Sequence, residues 1–241
     1  MNQYNSKHIM KTHMDGKGFG IIATKNLKRF TIILTDVSII NKSVIYDAET
    51  HNEAEIIELY MVAHLLNPEN VDAMTKFSKL SPHTLDEHVI SKKEISKRID
   101  GLKNKKIKDL LSQHTIDNIR LCVEKYKRNA FNIDNTHKTI VPGIFVNGAI
   151  FNHSCDPNIS FIYFNDMMYY FLNRDVTRGE ELTDSYIDVA CSREVRQIVL
   201  LDRYNFVCEC NTCTNKKNIG KNKLTMLKYC KTNDVCKNLI Y

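Results

Sequence analysis

A block of helical periodicity interrupts a chain that otherwise has β character, and this order constrains the fold more than any other feature. β-branched residues at strand length occur over 21–23 and 31–35. Apolar residues then recur at helical spacing over roughly 50–128, and strand character returns near Ile144. Because regular strand–helix alternation is missing, the pattern argues against a doubly wound parallel sheet.

Local signals mark several element ends. Ser91, followed by Glu94 three residues later, is typical of a helix N-terminus. The pair Asn165-Asp166 lies between two apolar runs and predicts a tight hairpin. A final helix is predicted from Ser192 to Tyr204.

Composition excludes several classes of protein. The 241 residues are 43% hydrophobic with 8 Gly and 4 Pro, unlike disordered or fibrous chains. No run approaches about 18 uninterrupted apolar residues, so no membrane span is predicted. Residues 1–15 lack an apolar signal core. We therefore expect an intracellular protein of the nucleus or cytoplasm that is not secreted.

Three cysteines within six residues, Cys208, Cys210 and Cys213, form the strongest chemical signal. Their thiolates could wrap one tetrahedral ion, and sulfur ligands suit zinc. A fourth ligand is needed, and spacing alone leaves it open. The candidates are several histidines and Cys155, Cys191, Cys230 and Cys236.

A second polar cluster, residues 151–158, lies between apolar segments. Buried polar groups need partners, and Asn152 with His153 could bind an adenine edge or a ribose. A nucleophilic pair of His153 and Cys155 is conceivable. We do not favour it, because a two-residue spacing in a strand aims both side chains alike.

The glycines of the segment 16–20 are not a dinucleotide-binding fingerprint, because a strand and not a helix follows them. Taken with three later blocks, however, they resemble the SET-domain protein lysine methyltransferases. The four blocks, in order, are Gly16-Lys17-Gly18-Phe19-Gly20, Asn152-His153-Ser154-Cys155, the segment from Gly179 to Tyr186, and the Cys208-x-Cys210-x-x-Cys213 cluster. The segments 129–131 and 204–210 make the SET-and-MYND subfamily the nearest resemblance.

The resemblance implies S-adenosylmethionine as cofactor and one structural zinc ion. Tyr186 would be the catalytic residue, and Phe131 would line the substrate lysine channel with it. Cys155 would complete the zinc site. The residues implied in cofactor binding are Lys17, Gly18, Phe19, Gly20, Asn129, Asn152, His153, Tyr186 and Phe206.

The implied architecture is an α+β SET fold of several small β-sheets with a helical insert, a knot-like threaded crossing and a zinc-bound post-SET segment. We expect four parts. They are residues 1–50 for the N-terminal half, 51–128 for the insert, 129–190 for the C-terminal half and 191–241 for the post-SET segment and tail.

Three features depart from the subfamily. Positions 50–121 hold no cysteine, so we expect the MYND zinc finger to be absent. About 28 residues follow Cys213, so the helical repeat domain is also not expected. Phe30 stands in the turn Lys28-Arg29-Phe30 where the family commonly has glycine. We expect Cys230 and Cys236 to be free thiols.

The implied function is a protein-lysine N-methyltransferase, with histone as the default substrate and a role in chromatin. The alternatives are an inactive zinc-stabilised scaffold or a methyltransferase acting on other proteins. The net charge of +6 does not steer a basic histone tail, so a local acidic groove using Glu180 or Glu181 would be required. The lysine surplus could instead make nonspecific contacts with nucleosomal DNA.

Overall fold

A computed structural model describes residues 7–40, 54–85, 90–134 and 140–214. The chain forms two compact units, which are described separately. The first unit consists of 1–34, 150–162 and 169–241, and the second of 35–149 and 163–168. Cys230 and Cys236 lie outside the described residues, so the structure does not address the prediction that they are free thiols.

Nine β-strands occur among the described residues, and they form three small sheets. The four-stranded sheet has the order β1-β2-β9-β6, the three-stranded sheet β3-β8-β7, and the third pairs β4 with β5. The strands are β1 (Ile9–Met14), β2 (Gly18–Ala23), β3 (Ile32–Val37), β4 (Ala130–Asp134), β5 (Ile140–Ile144), β6 (Asn152–His153), β7 (Ile159–Phe164), β8 (Met167–Leu172) and β9 (Glu181–Asp184).

Strand β1 has no clear signal in the sequence, since its polar residues hide the pattern. It pairs antiparallel with β2, and the register runs from Ile9 opposite Ala23 to Met14 opposite Gly18. Ile9 is fully buried. Strand β6 is only two residues long, yet it places Asn152 and His153 in parallel register with the end of β9.

The helices of the second unit form a core of their own. Helix α1 (Ala54–Leu66) is apolar nearly all round, since its buried residues include Leu59, Met61, Val62 and Leu65. The periodicity predicts an amphipathic helix here, but α1 is the central helix of this core. The helices of this unit are α1 (Ala54–Leu66), α2 (Val71–Ser78), α3 (Lys92–Gly101), α4 (Lys105–Ser112) and α5 (Ile116–Asn129).

Three local predictions are confirmed. The Ser91 hydroxyl accepts a hydrogen bond from the Glu94 N–H at 3.1 Å and caps α3. Asn165 and Asp166 join β7 to β8 with φ angles of 48° and 66°, as a type I′ hairpin turn requires. Helix α6 (Arg193–Tyr204) begins after its N-cap Ser192. A short helix, α7 (Asn211–Thr214), follows it.

No helix in the described parts of the chain is both long and apolar enough to cross a membrane.

Phe30 adopts a left-handed backbone conformation, with φ at 67°. A bulky side chain is strained there, and 64% of Phe30 is exposed, with the Arg29 guanidinium 4.4 Å from its ring centroid. The backbone therefore has the conformation for which glycine is suited, although the residue is phenylalanine.

We expect Phe30→Gly to be more stable than Phe30→Ala by about 1 kcal/mol, because both variants lose the ring but only alanine keeps the strain. Chemical denaturation of both variants measures the difference. The same pair of substitutions at exposed Lys28 is the control, where alanine should be the more stable. An alanine advantage at position 30 as well would contradict the assignment of strain.

Candidate functional site

Four cysteines of the first unit converge to form a sulfur cluster. The Sγ atoms of Cys155, Cys208, Cys210 and Cys213 all lie within 4.8 Å of one another. Cys155 comes from the loop after β6, whereas the other three follow α6. The structure thus places Cys155 with the predicted triad, while Cys191 is not part of the group.

The cluster fits a tetrahedral metal ion. With metal–sulfur bonds of about 2.3 Å, the sulfur atoms of a tetrahedral site are separated by about 3.8 Å. The Cys155 Sγ lies 3.9 Å from the Cys208 Sγ and 3.5 Å from the Cys213 Sγ. These separations are too long for disulfide bonds, and all four cysteines are free. The donor set is therefore the one that zinc prefers.

Helix α6 holds the cysteine segment through its side chains. Gln197 donates from Nε2 to the Cys208 carbonyl at 2.7 Å and accepts from the Cys208 N–H at 2.8 Å. Arg193 donates to the Cys213 carbonyl at 2.6 Å. Arg196, 8% exposed, donates from Nε to the Cys155 Sγ at 3.2 Å. Nothing in the sequence indicates that Arg196 is buried, since an arginine in an amphipathic helix is normally on its exposed face.

His153 uses both ring nitrogens within the chain. Its Nδ1 accepts the Tyr186 N–H at 3.1 Å, and its Nε2 lies 3.4 Å from the Cys155 Sγ. The spacing argument does not anticipate this contact, which arises because the loop after β6 turns the cysteine toward the ring. Burial lowers the pKa of His153 to about 4, and the positive charges of Arg196 and Lys17 add to this effect.

Tyr186 lies in an aromatic group just beyond the end of β9. Its hydroxyl donates to the Phe151 carbonyl at 2.7 Å. Its ring centroid lies 4.9 Å from that of Tyr204 and 6.4 Å from that of Phe206, while the Phe206 ring is 6.0 Å from the His153 ring. Burial raises the pKa of Tyr186, and the nearby groups of Tyr204, Asp184 and Glu181 contribute. The phenol is therefore neutral.

Lys17 and Asn152 meet at the Glu181 carboxylate. Lys17 Nζ lies 2.6 Å from Oε2, and the Asn152 amide donates to Oε1 at 3.0 Å. A Cβ at Gly20 would lie 2.6 Å from the Asn152 amide nitrogen, so only glycine leaves room for this arrangement. Phe19 on β2 is 56% exposed, and its ring centroid lies 5.8 Å from that of His13 and 4.4 Å from Lys11 Nζ.

The glutamates invoked for an acidic groove are already paired. Glu181 binds Lys17 and Asn152, as described. Glu180 forms an ion pair with Arg174 at 2.6 Å and accepts from the Thr177 N–H at 3.0 Å. Neither carboxylate is therefore an unpaired acidic group for a basic substrate.

Asn129 and Phe131 belong to the second unit. Asn129 donates both amide hydrogens to backbone carbonyls, of Ser81 at 2.7 Å and Lys125 at 2.8 Å. Phe131 makes an edge contact with Phe145, with ring centroids 5.8 Å apart. Their predicted roles in cofactor binding and in the lysine channel remain predictions.

Asp184 lies within the block from Gly179 to Tyr186, but nothing in that block indicates that its carboxyl group is buried. It is 7% exposed, and its Oδ1 accepts the Ser185 N–H at 2.7 Å. Burial raises its pKa to about 7, although the Ser185 hydrogen bond opposes this change. Asp184 lies in β9, two residues before Tyr186. A carboxyl group with a pKa near neutral is therefore close to the aromatic group that contains Tyr186.

Comparison with known proteins gives the family. The model of the SET domain matches residues 18–187. A putative SET domain-containing protein of Acanthamoeba polyphaga mimivirus is 28% identical over 226 residues, which are 92% of this chain and 81% of the viral protein. Human N-lysine methyltransferase SMYD2 is 31% identical over 155 residues, 57% of this chain. The alignment spans 36% of SMYD2, so the chain matches about a third of that relative's length.

Solved structures agree on the fold. The SET domain of LSMT bound to lysine and AdoHcy has a TM-score of 0.58 at 15% identity, covering 85% of this chain and 54% of that one. Rubisco LSMT bound to AdoMet has a TM-score of 0.52 at 14% identity, covering 95% and 60%. The predicted α+β fold of small sheets with helices is thus confirmed as the SET fold. With the family model matching well over half of its length, the chain belongs to the SET domain family.

Proposed function

We propose that the chain is a protein-lysine N-methyltransferase that uses S-adenosylmethionine. The observation that carries the proposal is the convergence of Asn152, His153, Tyr186 and Phe206 in one unit, held together by hydrogen bonds and ring contacts. These are the residues that the family resemblance implies in cofactor binding and catalysis. The LSMT structures bound to AdoMet and to AdoHcy support the same cofactor.

The surroundings of each residue indicate what it could contribute to cofactor binding. Phe206 offers a half-buried ring on which an adenine could stack. Asn152 and Lys17 offer an amide and an ammonium group to the amino-acid end of the cofactor. His153 has no ring nitrogen to spare, so we propose that it acts on the cofactor through its backbone and ring face. We propose Gly18, Phe19 and Gly20 as further cofactor contacts.

The cofactor supplies an activated methyl group on a positively charged sulfur. A lysine side chain would take up this methyl group in line only as the neutral amine. The ammonium group must therefore lose a proton first, which desolvation by aromatic walls favours. Tyr186 donates its hydroxyl hydrogen to Phe151, so its oxygen lone pairs can accept weak CH···O contacts and orient the amine. Catalysis is then largely positioning.

We propose that Cys155, Cys208, Cys210 and Cys213 bind one structural zinc ion. The separations of their sulfur atoms and the buried setting support this role. The ion would tie the segment with Phe206 to the loop after β6. No step of methyl transfer passes through the metal, because its four ligands are all protein thiolates.

Histone lysine is the first substrate to test, since human SMYD3 is named a histone-lysine N-methyltransferase, and SMYD2 an N-lysine methyltransferase. Zinc-loaded protein should transfer label from S-adenosylmethionine to core histones or to a lysine in a cell lysate. Mass spectrometry would then identify the residue and its methyl count. Absence of label from both preparations would refute the proposed methyltransferase activity. Absence of cofactor binding by calorimetry would favour the alternative of an inactive scaffold.

We expect Tyr186→Phe to lower the rate of methyl transfer about 100-fold, because the oxygen that orients the amine is lost. Folding should be retained, since only one hydrogen bond, worth about 1 kcal/mol, is removed. A radiolabel assay measures the rate, and calorimetry with S-adenosylhomocysteine checks that the site is intact. Tyr170→Phe, another buried hydroxyl removed from the same unit, is the matched control. Equal rates for wild type and Tyr186→Phe would exclude a catalytic role for the hydroxyl.

A further inference from the structure

The sulfur of Cys155 receives contacts from two sides besides its place in the cysteine cluster. Arg196 donates from Nε at 3.2 Å, and the His153 Nε2 lies at 3.4 Å. Both side chains are buried, at 8% and 7% exposure. A sulfur that accepts two N–H groups in a buried setting carries negative charge more readily than an isolated thiol does.

The hydrogen bond at the other ring nitrogen fixes the tautomer of His153. Because the Tyr186 N–H points at Nδ1, that nitrogen must present its lone pair. The proton of the neutral ring is then on Nε2, where it can be donated to the Cys155 sulfur. One imidazole therefore joins a cluster sulfur to the peptide group of the proposed catalytic residue.

We propose that His153 is a positioning residue that couples metal binding at the four-cysteine site to the placement of the Tyr186 backbone. This inference rests on the proposed function, because it concerns how the cofactor and lysine sites are held. A thiolate bound to a divalent ion stays a good acceptor, whereas a neutral thiol is a weak one. Metal binding therefore strengthens the His153–Cys155 hydrogen bond and fixes the ring that holds Tyr186.

Coupling of this kind is reciprocal. If the metal tightens cofactor binding by some factor, the cofactor must tighten metal binding by the same factor. A coupling of about tenfold is within the usual range for two linked sites. The imidazole is one link and the segment that carries Phe206 is another, so removing the imidazole should reduce the coupling without removing any of the four thiolates.

The experiment uses the full chain loaded with zinc and measures its zinc affinity by competition with a chromophoric chelator. Wild type should bind zinc about tenfold more tightly with saturating S-adenosylhomocysteine than without it. In His153→Ala this ratio should fall to about threefold or less, and the segment that carries Phe206 accounts for what remains. Arg193→Ala is the control, because Arg193 contacts the Cys213 carbonyl and no sulfur. It should weaken zinc binding in both conditions and keep the tenfold ratio.

A second readout does not need the cofactor. In protein with ¹⁵N-labelled histidine, the His153 spectrum should show a bare Nδ1 and a protonated Nε2, with the Nε2 signal changing when zinc is removed. A protonated Nδ1, or an undiminished tenfold ratio in His153→Ala, would overturn the link. If calorimetry shows no binding of S-adenosylhomocysteine, the proposed function fails by itself, and the histidine spectrum still decides whether the imidazole bridges Cys155 and Tyr186.

Discussion

Removing the zinc ion that we propose at the four-cysteine site is expected to release the segment 205–214 while the β-sheets and the helical core stay folded. Structural zinc contributes roughly 10 kcal/mol or more to such sites, whereas the hydrogen bonds from Gln197 and Arg193 contribute about 1 kcal/mol each. Without zinc, those bonds cannot offset the entropy of ordering the segment. Phe206 would then leave His153 and Tyr186, and cofactor affinity should fall at least tenfold.

Cys213→Ser is the sharpest variant for this prediction, because Cys213 is fully buried within the cluster. Metal analysis should show loss of zinc, and hydrogen exchange should show fast exchange confined to 205–214. Cys122→Ser is the matched control, since Cys122 is a buried cysteine in α5 outside the cluster and should leave the zinc content unchanged. Zinc-free wild type with a protected 205–214 segment would contradict the prediction.

Replacing Asp184 by Asn is expected to remove a large pH dependence of stability. The folded-state pKa of about 7 lies above the ordinary value of 3.8, so the folded chain keeps a proton that the unfolded chain has lost. Stability contributed by this group is therefore present below about pH 4 and is lost as the pH rises to 7. Each tenfold change in proton affinity corresponds to about 1.4 kcal/mol, so the loss is about 4 kcal/mol.

The measurement is the unfolding free energy of both proteins between pH 5 and pH 8. The side-chain amide of the Asp184→Asn variant can still accept the Ser185 N–H but never ionises, so the variant should gain several kcal/mol relative to wild type over this range. Other titrations, including that of His153, cancel in the difference. Exposed Asp188→Asn is the control. A difference that stays constant with pH would show that Asp184 is not held neutral by burial.

Much of the fold follows from local signals. The Ser91 and Ser192 caps and the Asn165-Asp166 turn are short-range features, so the residue types at these positions predict them. Strand β1 could not be predicted, because its partner β2 and not its own alternation holds it in place. The burial of α1 on nearly all sides could not be predicted either, since it depends on the helices packed around it.

The candidate site divides in the same way. The cysteine triad and the Asn152-His153 pair stand together in the sequence, so their residue types and spacing indicate them. Arg196 and Glu181 act through contacts between distant elements, and Asp184 is buried only in the folded chain. The sequence around a charged residue does not show whether that residue will be buried after folding. The contact between His153 and Cys155 depends on the turn after β6, which spacing does not reveal.

The burial of α1 on nearly all sides also limits which of its residues can be replaced among related chains. Its side chains are fixed by every neighbouring helix, so few replacements would keep the core filled. The outer faces of α3 and α4 have no such restriction, because half of the residues in these helices are exposed. Relatives can therefore exchange the surface of the helical unit while keeping its centre. Differences among viral and cellular SET proteins should accumulate on those two outer helices before they reach α1.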